Sequence, residues 1–172
     1  MAGALDGVRV IDFGQYIAGP LAAMFLADQG ADVVRIDPPG GPRFETPANA
    51  TWNRGKRNIV LDLKRAGELE RARGLVAAAD VMIENFRPGV MERLGLGAEA
   101  MTAANPRLIY CSLPGFGAGD PRAAMPGWEG VVAAATGQLS LIADGATVLS
   151  ADGKLIWMRC QIGQSYEKGQ CV

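Results

Sequence analysis

Five short apolar runs, most of them rich in β-branched residues, constrain this chain more than any other feature, because helical spacing or a glycine- and proline-rich loop follows each one. Val8 to Phe13 lies between Gly7 and Gly14 and reads as a strand covered on both faces. Pro20 suits the first turn of a helix, where its missing N–H costs nothing, and Leu21, Met24 and Phe25 recur at helical spacing until Gly30. Asp32 to Ile36 is the next strand, followed by a long loop from Asp37 to Lys56. Asn58 to Leu61 reads as a third strand, and Ala66 to Ala79 as a solvated helix, alanine-rich with charge on one side. Val81 to Glu84 is a fourth strand, Val90 to Leu94 and Ala98 to Asn105 are short helices, and Leu108 to Ser112 is a fifth strand. Alternating strands and helices predict an α/β fold, a Rossmann-like parallel sheet with helices on both faces. Ligands gather at the carboxyl edge of such sheets, so the Asp37 loop, Asn85-Phe86-Arg87 and Gly115-Phe116-Gly117 are expected there.

Composition removes whole classes of chemistry. The chain has no histidine, which excludes the commonest general base, the usual zinc ligand and any Ser-His-Asp triad, and no metal site is expected. Its 17 basic and 18 acidic residues give a net charge of −1, so nothing electrostatic favours nucleic acid. The longest apolar stretch, Ile17 to Ala27, contains a proline and is too short to cross a membrane. Asp6 precedes any apolar run, unlike a signal peptide, and the three cysteines form no Cys-x-x-Cys pair; a cytoplasmic setting is expected. After Gly137 the pattern changes. Asp144-Gly145 and Asp152-Gly153 are turn signals, the second able to close a hairpin between Thr147–Leu149 and Leu155–Trp157. Residues 1–137 therefore read as one part and residues 138–172 as a divergent or truncated tail.

The strings Leu5-Asp6-Gly7-Val8-Arg9-Val10-Ile11-Asp12, Ala18-Gly19-Pro20, Gly30-Ala31-Asp32-Val33-Val34, Leu61-Asp62-Leu63-Lys64 and Asn85-Phe86-Arg87-Pro88-Gly89 follow one another in a set order. Together they resemble the class III CoA-transferase family, which includes formyl-CoA transferase, carnitine CoA-transferase and the α-methylacyl-CoA racemases. The resemblance covers roughly Leu5 to Gly137 and then decays. Family members run to more than twice this length, so residues 1–137 resemble the CoA-binding N-terminal part of the family's large domain, with the small domain missing. The resemblance implies coenzyme A as substrate, an acyl-CoA and a carboxylic acid as partners, and an interlocked homodimer. It also implies that a chain of this length is crippled in turnover and prone to associate.

Carried over position by position, the resemblance implies CoA contacts at Ile17 and Ala18, at Leu61 and Lys64, at Asn85, Phe86 and Arg87, and at Arg93. Arg87 would hold a phosphate through a bidentate contact, with Phe86 packing the pantetheine or adenine; by spacing alone it reads first as a turn arginine solvating a loop, and only the family pattern reverses that preference. The stretch around Lys64 also reads as an ordinary strand-to-helix cap. Two positions depart from the pattern. Ile17 stands where formyl-CoA transferase has a glutamine, with Gln15 two residues earlier. Pro38 stands where an arginine often follows the acid, leaving Arg43 as a substitute. Trp128 occupies the place of the racemase histidine and cannot shuttle a proton, which favours CoA transfer over α-proton exchange. Glu129 beside it fits an acid/base role, or simply a glutamate at a helix N-terminus.

The transferase nucleophile is an aspartate, which in the family lies downstream of this segment. Ile142-Ala143-Asp144, followed by Gly169-Gln170-Cys171-Val172, makes Asp144 the candidate and Asp152 the second; both also read as turn aspartates. Gly115-Phe116-Gly117-Ala118-Gly119 leads into Asp120-Pro121 rather than a helix, so it reads as the family's glycine loop and not as a dinucleotide fingerprint. The expected function is transfer of CoA from an acyl-CoA to a carboxylic acid through an aspartyl-CoA intermediate. A racemase or isomerase of the same family and a non-catalytic CoA-binding fragment are the alternatives.

Overall fold

A computed structural model describes residues 3–42, 47–117, 119–136, 166–167 and 170–171, with Glu129 and the last two pairs known by backbone alone. It divides into two compact units, Met1–Pro114 and Gly115–Val172. The first unit holds five strands: β1 (Arg9–Asp12), β2 (Asp32–Asp37), β3 (Arg57–Val60), β4 (Val81–Glu84) and β5 (Ile109–Ser112). They form one parallel sheet in the order β3-β2-β1-β4-β5. The chain builds outward from β1 to β3, then crosses to β4 on the other side of β1. The switch point between β1 and β4 opens a crevice at their carboxyl ends.

The two-residue period of each strand feeds two cores. Val10, Val33, Ile83 and Cys111 pack on one face with Ala23 and Leu26 of α1 (Ala18–Asp28). Their chain neighbours Ile11, Val34, Met82 and Tyr110 face the other core. There they meet Ala72 and Val76 of α3 (Ala66–Ala77), Met91 of α4 (Val90–Arg93) and Met101 of α5 (Ala98–Ala104). Helices therefore cover both faces, as the alternation predicts.

Two local expectations change. The Asp37–Lys56 stretch is not all loop, since α2 (Ala48–Trp52) forms within it. Phe25 is not core; it is 54% exposed. The buried stripe of α1 is Gly19, Pro20, Ala23 and Met24, so small residues bring the helix close to the sheet. A Cβ on Gly14 would lie 2.7 Å from the Cα of Gly19, which leaves room for no side chain at that crossing. No described helix is long and apolar enough to cross a membrane.

The second unit contains α6 (Glu129–Ala135) and an antiparallel pair, β6 (Tyr166–Glu167) with β7 (Gln170–Cys171). Within it Arg122 lies over the Phe116 ring, 5.0 Å from its centroid, and grips Asp120 at 2.7 Å, holding that carboxyl down at about 2. The expected hairpin at Thr147–Trp157, Asp144 and Asp152, and Arg43 of the first unit lie outside the described residues.

Candidate functional site

At the carboxyl edge, on the α3–α4 side of the first unit, lies a cavity of about 290 Å³. Phe13 and Gln15 wall it from the turn after β1, Ile36 to Pro39 from the end of β2, and Leu61 to Lys64 from the turn after β3. Phe86 closes it after β4, with Val90, Arg93 and Leu94 from α4. Its lining is mostly apolar, with two flexible cations at the rim. Neither Lys64 nor Arg93 pairs with a carboxylate among the described residues. Asp37, the one buried carboxylate in the wall, is already neutralised by Arg35 at 2.8 Å and accepts a hydrogen bond from Asn58 Nδ2 at 2.6 Å. Such a site suits a ligand with a flat or aliphatic body and anionic groups.

Local chemistry sets each wall. The turn after β3 is fixed by Asp62, whose Oδ1 accepts from the Lys64 N–H at 3.1 Å while its own N–H donates to Glu68 Oε2 at 2.6 Å. This points Lys64 into the first turn before α3. After β4, the Glu84 carboxylate accepts from the Phe86 N–H at 2.8 Å, and Gly89 takes a left-handed φ of 82° that starts α4 and brings Arg93 round. Asn85 clasps the turn after β1. Its Oδ1 accepts from the Gln15 N–H and its Nδ2 donates to the Gln15 carbonyl, both at 2.7 Å. That two-way pairing ties together the turns that follow β1 and β4, the neighbouring strands on either side of the switch point.

Of the residues singled out from sequence, Leu61, Lys64, Phe86 and Arg93 meet in this cavity. The others lie off it. Ile17 and Ala18 begin α1, the Asn85 amide is committed to the Gln15 backbone, and Arg87 is exposed in the loop. Glu129 is the first residue of α6, following Trp128, in the second unit. No group of three potential metal ligands gathers among the described residues.

Sequence reasoning passed over a second constellation on the α1 side of the same edge. Asp12, Arg35 and Asp37 are nearly inaccessible, and the Lys56 side chain is 1% exposed. Lys56 Nζ donates to Asp12 Oδ2 and to the Pro20 carbonyl, both at 2.8 Å. Arg35 reaches Asp37 and Asn53, each at 2.8 Å. Burial pushes the Lys56 ammonium below its usual range, with Asp12 pulling the other way. A sequence signal exists: a charge inside a β-branched strand buried on both faces, as in Val33-Val34-Arg35-Ile36-Asp37, must find a partner. This cluster binds the loop after β2 and the start of α1 to the strand ends.

Comparison with known proteins identifies the family. The profile of CoA-transferase family III matches residues 5–158. The chain is 54% identical over 116 residues to the CoA-transferase/lyase DddD of Marinomonas sp., covering 67% of this chain and 14% of that protein. It is 41% identical over 145 residues to the probable fatty acyl-CoA transferase Rv3272 of Mycobacterium tuberculosis, covering 77% of this chain and 37% of the other. The human α-methylacyl-CoA racemase is 47% identical over 114 residues, 66% of this chain and 29% of that one. A crystal structure of Rv3272 superposes with a TM-score of 0.75 over 92% of this chain and 45% of that one, at 36% identity. The chain thus spans less than half the length of these relatives. The matched region includes the whole five-stranded sheet and every wall of the cavity, and on this evidence the chain belongs to CoA-transferase family III.

Proposed function

We propose that the cavity binds one end of a coenzyme A thioester and that the chain supplies the CoA-binding part of a CoA-transferase. The observation that carries this reading is the meeting of Leu61, Lys64, Phe86 and Arg93 in one mostly apolar cavity, with two cations at its rim that meet no carboxylate among the described residues. At about 290 Å³ it sits at the low end of ligand pockets, so it suits one end of a long ligand rather than the whole. Lys64 and Arg93 pair with phosphate oxygens, Phe86 and the leucines pack against the base or the arm, and the thioester extends beyond the cavity.

Transfer then proceeds through a carboxylate, for which Asp144 is the candidate. Its oxygen attacks the thioester carbonyl, the C–S bond breaks, and a mixed anhydride forms with release of CoA thiolate. The thiolate attacks the aspartyl carbonyl, freeing the donor acid and leaving an aspartyl-CoA thioester. The acceptor carboxylate attacks that thioester, its C–S bond breaks and a second mixed anhydride forms; the thiolate then attacks the acceptor's acyl carbon, and the C–O bond to Asp144 breaks to regenerate its carboxylate. Glu129 is the candidate for polarising the substrate or shuttling a proton. Trp128 offers an indole N–H but no base, which favours transfer over α-proton exchange despite the racemase among the relatives. The acting enzyme is read as a cytoplasmic homodimer taking an acyl-CoA and a carboxylic acid.

The test of the reaction is exchange of label between an acyl-CoA and a panel of carboxylates, beside incubation of a 2-methylacyl-CoA in deuterated water. Acid-dependent transfer, lost in Asp144→Asn, is expected. Rapid α-deuterium incorporation without an acceptor acid would replace this reading with the racemase one.

A further inference from the structure

Gln15 is built in a way that the packing of the fold does not explain. Its backbone is pinned twice across 70 residues by Asn85, as described above, and the preceding Gly14 N–H donates to buried Asp12 Oδ1 at 2.7 Å. The following residue, Tyr16, takes φ 66°, a left-handed conformation that is strained for a bulky side chain. The turn is thus fixed at a cost in strain, at the switch point of the sheet, with Gln15 in the cavity wall. The carboxamide it presents is not fixed. Nε2 reaches only the Phe13 carbonyl at 3.5 Å, the outer limit of a hydrogen bond. Oε1 is buried and has no donor, the one such side-chain atom among the described residues. A buried acceptor without a donor lowers stability, and with Nε2 held so weakly the amide is free to turn about its last torsion and present Oε1 to a donor in the cavity.

We propose that Gln15 is a specificity-determining residue whose Oε1 accepts a hydrogen bond from a neutral N–H of the CoA-type ligand, with Asn85 as its positioning residue. This rests on the CoA reading above and extends it. A neutral acceptor suits a neutral donor, because a phosphate oxygen offers no proton and would be repelled by the carboxamide oxygen. CoA carries two kinds of such donor, the adenine amino group and the pantetheine amides. Lys64 and Arg93 supply charge attraction for any polyphosphate, whereas Gln15 distinguishes ligands that carry an N–H at the matching place.

Calorimetric titration of the chain and of Gln15→Met with CoA, and of both with adenosine 3′,5′-bisphosphate, tests this, alongside thermal melting of each. Methionine keeps the length and removes the acceptor. The parent is expected to bind CoA and the variant to bind it about tenfold more weakly. The variant's melting temperature should be unchanged or higher, since a buried unpaired oxygen is gone. An equal loss with the bisphosphate assigns the donor to adenine; a loss confined to CoA assigns it to the pantetheine arm. Parent and variant affinities within about twofold overturn the role of Gln15 while leaving the CoA reading intact. A variant that melts well below the parent overturns it too, by showing a structural function. A parent that binds no CoA overturns both.

Discussion

Consecutive residues on the same strand ends serve opposite purposes. Asp12 and Arg35 turn toward α1 and enter a buried ionic cluster, whereas their neighbours Phe13 and Ile36 turn the other way and wall the cavity. On the first side every charge has a partner inside the protein: Asp12 with Lys56, Arg35 with Asp37 and Asn53. On the second, Lys64 and Arg93 stand at the rim with no carboxylate among the described residues, and a buried Gln15 oxygen has no donor. One side of the edge is closed electrostatically and holds loops in place. The other is left open toward a ligand. The two-residue period of a strand makes this division possible within one turn of chain.

The largest effect is expected where the closed side is broken. Asp12→Ala leaves the Lys56 ammonium buried without its carboxylate, and should cost about 3–5 kcal/mol of folding stability by denaturant titration. A loss under about 1 kcal/mol would mean that the cluster is solvated and the contrast false. On the open side, Lys64→Ala and Arg93→Ala should leave stability nearly unchanged and weaken CoA binding by ~1–3 kcal/mol each, read by calorimetry. Arg87→Ala, outside the cavity, should weaken it less than either. If Arg87 proves the strongest of the three, the phosphates follow the loop rather than the cavity.

A smaller effect concerns pH. Burial first, then Glu84 and Glu92, pushes the Tyr110 phenol well above its ordinary 10.0. The folded chain keeps that proton where the unfolded chain loses it. Its contribution is therefore full below pH 10.0 and is lost as pH rises from there toward the raised value. Between about pH 9 and about pH 11 the urea midpoint of the parent should fall relative to that of Tyr110→Phe; parallel curves would refute the burial of this group. The smallest effect is expected at the surface. Arg57 and Asp32 pair across β2 and β3 at 2.6 Å but are 68% and 46% exposed, so Arg57→Ala should change stability by less than ~1 kcal/mol.

The central strands β1, β2 and β4 are legible in the sequence because buried strands must be apolar, and the more exposed edge strands β3 and β5 through their β-branched residues; all five fall within a residue or two of the expected runs. Leu61, Lys64, Phe86 and Arg93 are legible as a group only through the family resemblance, since nothing local says that four separate turns converge. Asn85 shows the limit of motif reading. Its amide is engaged by a backbone 70 residues away, a pairing no spacing rule reveals. The same is true of Lys56, whose partner Asp12 lies 44 residues upstream; Gln15, in the sequence only a neighbour of the departure at Ile17, is marked by the structure through an acceptor without a donor. The α2 helix within the Asp37–Lys56 stretch is short enough that proline and glycine on either side mask its signal.

The central claim is that the open side of the edge takes coenzyme A. Calorimetric titration of CoA into the folded chain, repeated at low and high salt, tests it most directly. Saturable binding that weakens as salt rises, and that is reduced in the Lys64→Ala, Arg93→Ala double variant, is the predicted result. A chain with an intact melting transition that shows no binding at about 1 mM CoA would contradict the account.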